Sequence, residues 1–137
     1  MAVLIDTSGL YALLDSSDAG YQATRRWVAG NEEPLILPVT VLPEVDYLIL
    51  KRLTPRVEVS LFKSILAGEF QLENFLERDL ARAVALVEQY AGSDLGLVDA
   101  SVAAIAERLN VRQVLTLDRR HIGMLRPRHC AAFDLVP

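Results

Sequence analysis

Two apolar runs of strand length, Val3-Leu4-Ile5 and Val114-Leu115-Thr116-Leu117, are each closed by an aspartate, Asp6 and Asp118. A run that offers almost no polar side to water reads as a strand covered on both faces, and such cover requires helices above and below a sheet. An acid at the end of such a strand is held against buried sequence. There it loses hydration and needs a counter-charge. Glu44 and Asp99 stand in comparable places, each near the start of an apolar helical stretch.

The rest of the chain supports a layered arrangement. Leu35-Ile36-Leu37 is another strand-like run, Phe70 to Phe75 alternates at period two like a strand near a sheet edge, and Ala132 to Val136 reads as the last strand. Helical segments fall between them, at Ser8 to Leu14 with Ser8 as cap and from about Asp18 to Ala29. Three more run from Thr40 to about Leu53, from Val57 to Leu66 and from Glu77 to Tyr90, the last with an apolar stripe of Leu80, Val84 and Val87. Leu97 to Leu109 carries a stripe of Val98, Val102, Ile105 and Leu109. Apolar strands separated by helices predict an α/β fold in three layers, with a mostly parallel central sheet flanked by helices.

At 137 residues the chain fits one domain over 1–137, and no repeat or interdomain linker interrupts it. Hydrophobic residues make up 52% and charged residues 23%, which permits a sizeable core and argues against disorder. The formal net charge of −4 argues mildly against a nucleic-acid binder, unless several acids form a cation site that cancels them locally. The single cysteine, Cys130, allows no intrachain disulfide and suits a reduced, cytoplasmic setting. No stretch is long and apolar enough to span a membrane, and the N-terminal run, stopped at Asp6, does not have the pattern of a signal peptide.

In parallel sheets, sites form beyond the carboxyl ends of the strands. Asp6, Glu44, Asp99 and Asp118 all project toward that rim on this reading, with Asp94 as a weaker candidate in the turn before Leu97. Glu44 interrupts the stripe Val41, Glu44, Leu48, so it is expected to face inward. Ser8 and Thr116 each stand two residues from an acid and can hydrogen-bond it. Oxygen-only donors suit Mg2+ or Mn2+, and His121, His129 and Cys130 do not form a zinc pattern. One or two such ions on a carboxylate cluster imply hydrolysis of a phosphodiester. Clustered acids also raise one another's pKa, so the metal-free site is expected to hold a proton that metal uptake releases. Arg119, Arg120, His121, Arg126, Arg128 and His129 form one basic cluster, placed to hold phosphates. Tyr11 and Trp27 are either base-stacking or core aromatics.

The motifs Ile5-Asp6-Thr7-Ser8, Pro43-Glu44, Asp94-Leu95-Gly96-Leu97-Val98-Asp99-Ala100-Ser101 and Leu115-Thr116-Leu117-Asp118-Arg119-Arg120-His121 resemble the PIN-domain family, and within it the VapC-type toxins. The resemblance runs through the whole chain in order and spacing. It implies a metal-dependent endoribonuclease whose acidic site is Asp6, Glu44, Asp99 and Asp118, with Asp94 as a fifth acid and with Ser8 and Thr116 beside them. It implies transfer or ribosomal RNA as substrate, a homodimer, and a small antitoxin that wraps the helices and blocks the site. Ile122 departs from the Phe common in that position among kin, without removing a ligand. The alternative within this fold is an inactive RNA- or protein-binding module. An aspartyl phosphatase needs an acid where Ser8 stands. A receiver domain needs a lysine near the final strands, and the only lysines are Lys51 and Lys63.

Overall fold

Each apolar run becomes a short strand in the computed structural model, which describes residues 1–137. In chain order the elements are β1 (Val3–Ile5), α1 (Thr7–Leu14), α2 (Tyr21–Ala29), β2 (Leu35–Pro38), α3 (Val41–Arg52) and α4 (Pro55–Leu66). There follow β3 (Gln71–Glu73), α5 (Glu77–Gln89), α6 (Leu97–Leu109), β4 (Gln113–Leu115), α7 (His121–Met124) and β5 (Asp134–Val136). The five strands pair in the order β3-β2-β1-β4-β5, and every pair is parallel. Val3 lies opposite both Leu35 and Gln113, so β1 is the central strand, and it has no exposed residue.

The chain leaves β1 in one direction, through β2 to β3, and then returns through α5 and α6 to β4 on the other side of β1. The order of strands therefore reverses between β1 and β4. Connections depart to opposite faces there, which opens a crevice beyond the carboxyl ends of the two strands. Asp6 follows β1 directly and Asp118 stands three residues past β4. The second strand stops at Leu115, two residues short of the expected end, although the Thr116 amide still donates to the Val136 carbonyl.

Packing of α1 against the sheet depends on Gly9. A Cβ at that position would lie 2.2 Å from the carbonyl oxygen of Leu115, so only glycine lets the helix approach β4 this closely. Asp6 rather than Ser8 caps α1, accepting from the Gly9 amide at 2.8 Å. The buried face of α3 is Val41, Val45 and Ile49, one step round from the expected stripe. The expected stripe of α6 does turn inward, and every residue from Ala100 to Ala106 is buried.

Helix α5 is rotated from its expected position. Asp79, Ala83 and Leu86 face the core, and Leu80, Val84 and Val87 remain exposed at 42%, 47% and 37%. Charge explains the rotation. Arg108 at the end of α6 bonds Asp79 at 3.0 Å and Glu73 at 3.1 Å, while Arg82 makes a bidentate pair with Glu107 at 2.7 and 3.1 Å. Asp79 also accepts from the Leu76 amide at the start of α5. A buried carboxylate so well partnered fixes which side of the helix is inside. No helix is long and apolar enough to cross a membrane.

Candidate active site

Asp6 is the most deeply placed acid, only 2% exposed. Its carboxylate is held from three directions. The Ser8 hydroxyl donates to Oδ1 at 2.9 Å, the Gly9 amide donates to the same oxygen, and the Thr116 hydroxyl donates to Oδ2. Each hydroxyl in turn accepts a backbone N–H from the segment after β4, Leu117 to Ser8 and Asp118 to Thr116, both at 2.9 Å. The expected Ser8 and Thr116 partners are therefore present. Ser8 reaches Asp6 through the first turn of α1, not through an extended chain. Burial pushes the Asp6 carboxyl up to about 6, against the lowering effect of the three donors, and the nearby Asp118 charge adds to the rise.

Asp99, Asp118 and His121 form the tightest group. One donor atom from each lies within 4.8 Å of the others. Asp99 is in the first turn of α6. The helix dipole there favours its charged form by roughly 0.3–1 kcal/mol. Burial outweighs this, and together with the charges of Asp6, Asp118 and Glu44 it pushes Asp99 up to about 7. Asp118 shapes the turn into α7. Its Oδ1 accepts from the His121 backbone N–H at 3.0 Å, and His121 Nδ1 lies 3.0 Å from Oδ2.

Glu44 does not face inward. It is exposed on α3, just outside the buried stripe, and touches the group only through its charge on Asp99. The start of α3 is tied to α6 by hydroxyls that sequence reading passed over. Ser101 donates to the Val98 carbonyl at 2.6 Å, which leaves its oxygen to accept from Thr40 at 2.6 Å. Serine and threonine are too common at helix ends for either to signal this alone. Asp94 is exposed in a left-handed turn, with φ 57°, outside the tight group.

The basic cluster divides in two. Arg119 and Arg120 are exposed next to Asp118, with Arg119 also donating to the Pro137 carbonyl. His129 Nε2 bonds the carbonyl of Val111, before β4, and the Arg128 amide bonds Glu107 at the end of α6. These two lie toward the amino end of β4, the opposite end from Asp118. Arg126 is spent on the carbonyls of Gly123 and Leu125. His121 separates from the arginines and turns toward the acids through the turn that Asp118 caps. Tyr11 is 4% exposed and donates to Asp15, so it belongs to the core and cannot stack on a base.

A model of the PIN domain matches residues 3–124, a span that includes every one of these acids and His121. The chain belongs to the PIN-domain family. This PIN domain is 30% identical over 135 residues to Ribonuclease VapC26 of Mycobacterium tuberculosis, covering 98% of this chain and 100% of the relative. That similarity places it among the VapC-type members. Its fold is that of Mycobacterium tuberculosis VapC20, described as a Sarcin-Ricin loop cleaving toxin, with a TM-score of 0.79 at 21% identity over 85% of this chain and 89% of the other. A toxin-antitoxin complex from Klebsiella pneumoniae contains a similar chain, with a TM-score of 0.69 at 20% identity over 90% and 92% of the two chains. The parallel sheet and flanking helices expected from the sequence are those of this family.

Proposed function

We propose that this PIN domain, a single unit over residues 1–137, is a Mg2+- or Mn2+-dependent endoribonuclease and the toxin of a toxin–antitoxin pair. The observation that carries the reading is the meeting of Asp99 and Asp118 in front of the buried Asp6, in a chain similar over its length to a protein named a ribonuclease. The donors fit a divalent cation. They are mainly carboxylate oxygens, close together, and a cation relieves the cost of burial and of mutual repulsion that raises Asp99. Asp6, Glu44, Asp99 and Asp118 are the proposed set that holds it. Asp94, turned outward, is left out. A bound divalent ion aligns phosphate oxygens, lowers the pKa of an attacking water and stabilises the leaving oxyanion.

The chain's own residues do the positioning. Ser8 and Thr116 fix the Asp6 carboxylate, and the Thr40–Ser101 bond sets α3, which carries Glu44, against α6, which carries Asp99. Arg119 and Arg120, exposed beside Asp118, take the RNA phosphates. Transfer or ribosomal RNA is the proposed substrate. An antitoxin segment fits the apolar groove of Leu13, Leu14, Val28, Leu61 and Phe70, a reading supported by the Klebsiella pneumoniae complex. The exposed stripe of α5 suits a second copy of the chain. The cytoplasm is the proposed location.

The test is cleavage of end-labelled structured RNA by the purified chain with Mn2+ or Mg2+. Cleavage is expected to stop with a chelator and to fall roughly a hundredfold or more in Asp99→Asn, whose circular dichroism stays native. Cleavage indifferent to both would overturn the metal reading. RNA binding without cleavage would favour the inactive module.

A further inference from the structure

The sequence counts His121 with Arg119 and Arg120 as a phosphate contact, but its side chain does not stand with theirs. Arg119 and Arg120 are exposed, but the His121 side chain is 23% exposed and faces Asp118. Its backbone N–H is bonded to Asp118 Oδ1, and the next residue, Ile122, is wholly buried, so the backbone that carries the ring is fixed. Nδ1 lies 3.0 Å from Asp118 Oδ2. Nε2 is shielded from solvent and has no hydrogen-bond partner.

A neutral imidazole has one N–H and one bare lone pair. With the hydrogen on Nδ1, that N–H donates to Asp118, and the Nε2 lone pair is left with nothing to accept. With the hydrogen on Nε2, the Nδ1 lone pair points at a carboxylate oxygen. In either neutral tautomer one ring nitrogen keeps a lone pair that no hydrogen-bond donor fills. A proton can take it, which makes an ion pair with Asp118, and so can a metal ion shared with Asp99 and Asp118. The spacing agrees, because neighbouring donors on an octahedral ion with bonds of about 2.1 Å stand about 3.0 Å apart, and opposite donors about 4.2 Å. The Asp118–His121 pair, at 3.0 Å, has the separation of neighbouring donors, and the whole group, within 4.8 Å, needs only a small side-chain shift to close on one ion.

We infer that His121 supplies a nitrogen donor to the divalent cation held by Asp99 and Asp118. The inference rests on the metal reading above and deepens it. A mixed oxygen and nitrogen set favours Mn2+, and the later first-row ions still more, over Mg2+, which prefers oxygen alone. The site is then tuned to a softer ion than its carboxylates suggest.

Pulsed electron paramagnetic resonance of Mn2+ on the full chain, in nitrogen-free cacodylate buffer, tests this directly. The expected spectrum contains the hyperfine coupling of a directly bound nitrogen, which changes isotope pattern when the protein is labelled with 15N-histidine. That arm needs no variant. The coupling is expected to vanish in His121→Gln and to persist in His129→Gln, and Mn2+ affinity is expected to fall on the order of tenfold in His121→Gln, with a smaller loss for Mg2+. Mn2+ that binds, and is lost in Asp99→Asn, but shows no bound histidine nitrogen overturns this inference alone and leaves His121 in an ion pair with Asp118. Failure of the wild-type chain to bind Mn2+ at all overturns the metal reading and this inference with it.

Discussion

Asp99 sits between opposing influences. The amino end of α6 favours its charge, while burial and the neighbouring acids oppose it and win, raising it to about 7. In the unfolded chain it titrates near 3.8. Between these values the folded metal-free protein binds more protons than the unfolded one, so stability falls as pH rises through this window, and the loss is complete above about 7. Asp6, raised to about 6, acts in the same direction over a narrower range. Asp99→Asn is therefore expected to stabilise the metal-free protein at pH 8 by about 2 kcal/mol, with allowance for solvent screening. The gain should disappear near pH 4. Urea unfolding at the two pH values measures it, and an equal gain at both would show that charge is not the cause. Asp6 and Asp118 were legible in the sequence because each ends an apolar run. His121 was not, because a basic residue after two arginines reads as one more phosphate contact until the turn formed by Asp118 is seen.

At the scale of elements, the approach of α1 to β4 sets the position of Asp6. Gly9→Ala places a methyl group against the Leu115 carbonyl, a backbone atom that cannot swing aside. The helix must shift, at a cost of about 2–3 kcal/mol. The expected result is a lower urea midpoint together with weaker Mn2+ binding, since Asp6 moves with the helix it caps. A lower midpoint with unchanged metal affinity would show that Asp6 is positioned by Ser8 and Thr116 alone. Strands and helices were legible here from periodicity, but helix rotation was less so. The segment of α5 offers two faces, Leu80, Val84 and Val87 or Asp79, Ala83 and Leu86. The first is the more apolar, and periodicity selects it. What decides against it is Arg108, 29 residues away on α6, which no local pattern reveals. Glu44 was expected to face inward, but α3 is turned by one step and Val45 takes the inner place.

Over the whole molecule, the site is a product of topology. No short motif unites Asp6, Asp99 and Asp118. The reversal of strand order beside β1 does. The shared rim was legible once the strands were read as parallel, but the strand order was not. The outer stripe of α5 remains apolar and uncovered, and it is the face proposed above for a second copy of the chain. Leu80→Glu with Val84→Glu is expected to convert a dimer to a monomer by light scattering without loss of helix content. A wild-type chain that is already monomeric would refute that assignment. Asp6 carries a last consequence, because one carboxylate both starts α1 and ties the segment after β4 to it. Lesions that silence a lineage of such proteins should then fall unevenly. Loss of Asp99 leaves a folded chain with its outer surfaces unchanged, whereas loss of Asp6 removes site and scaffold together, so drifting descendants should discard the first long before the second.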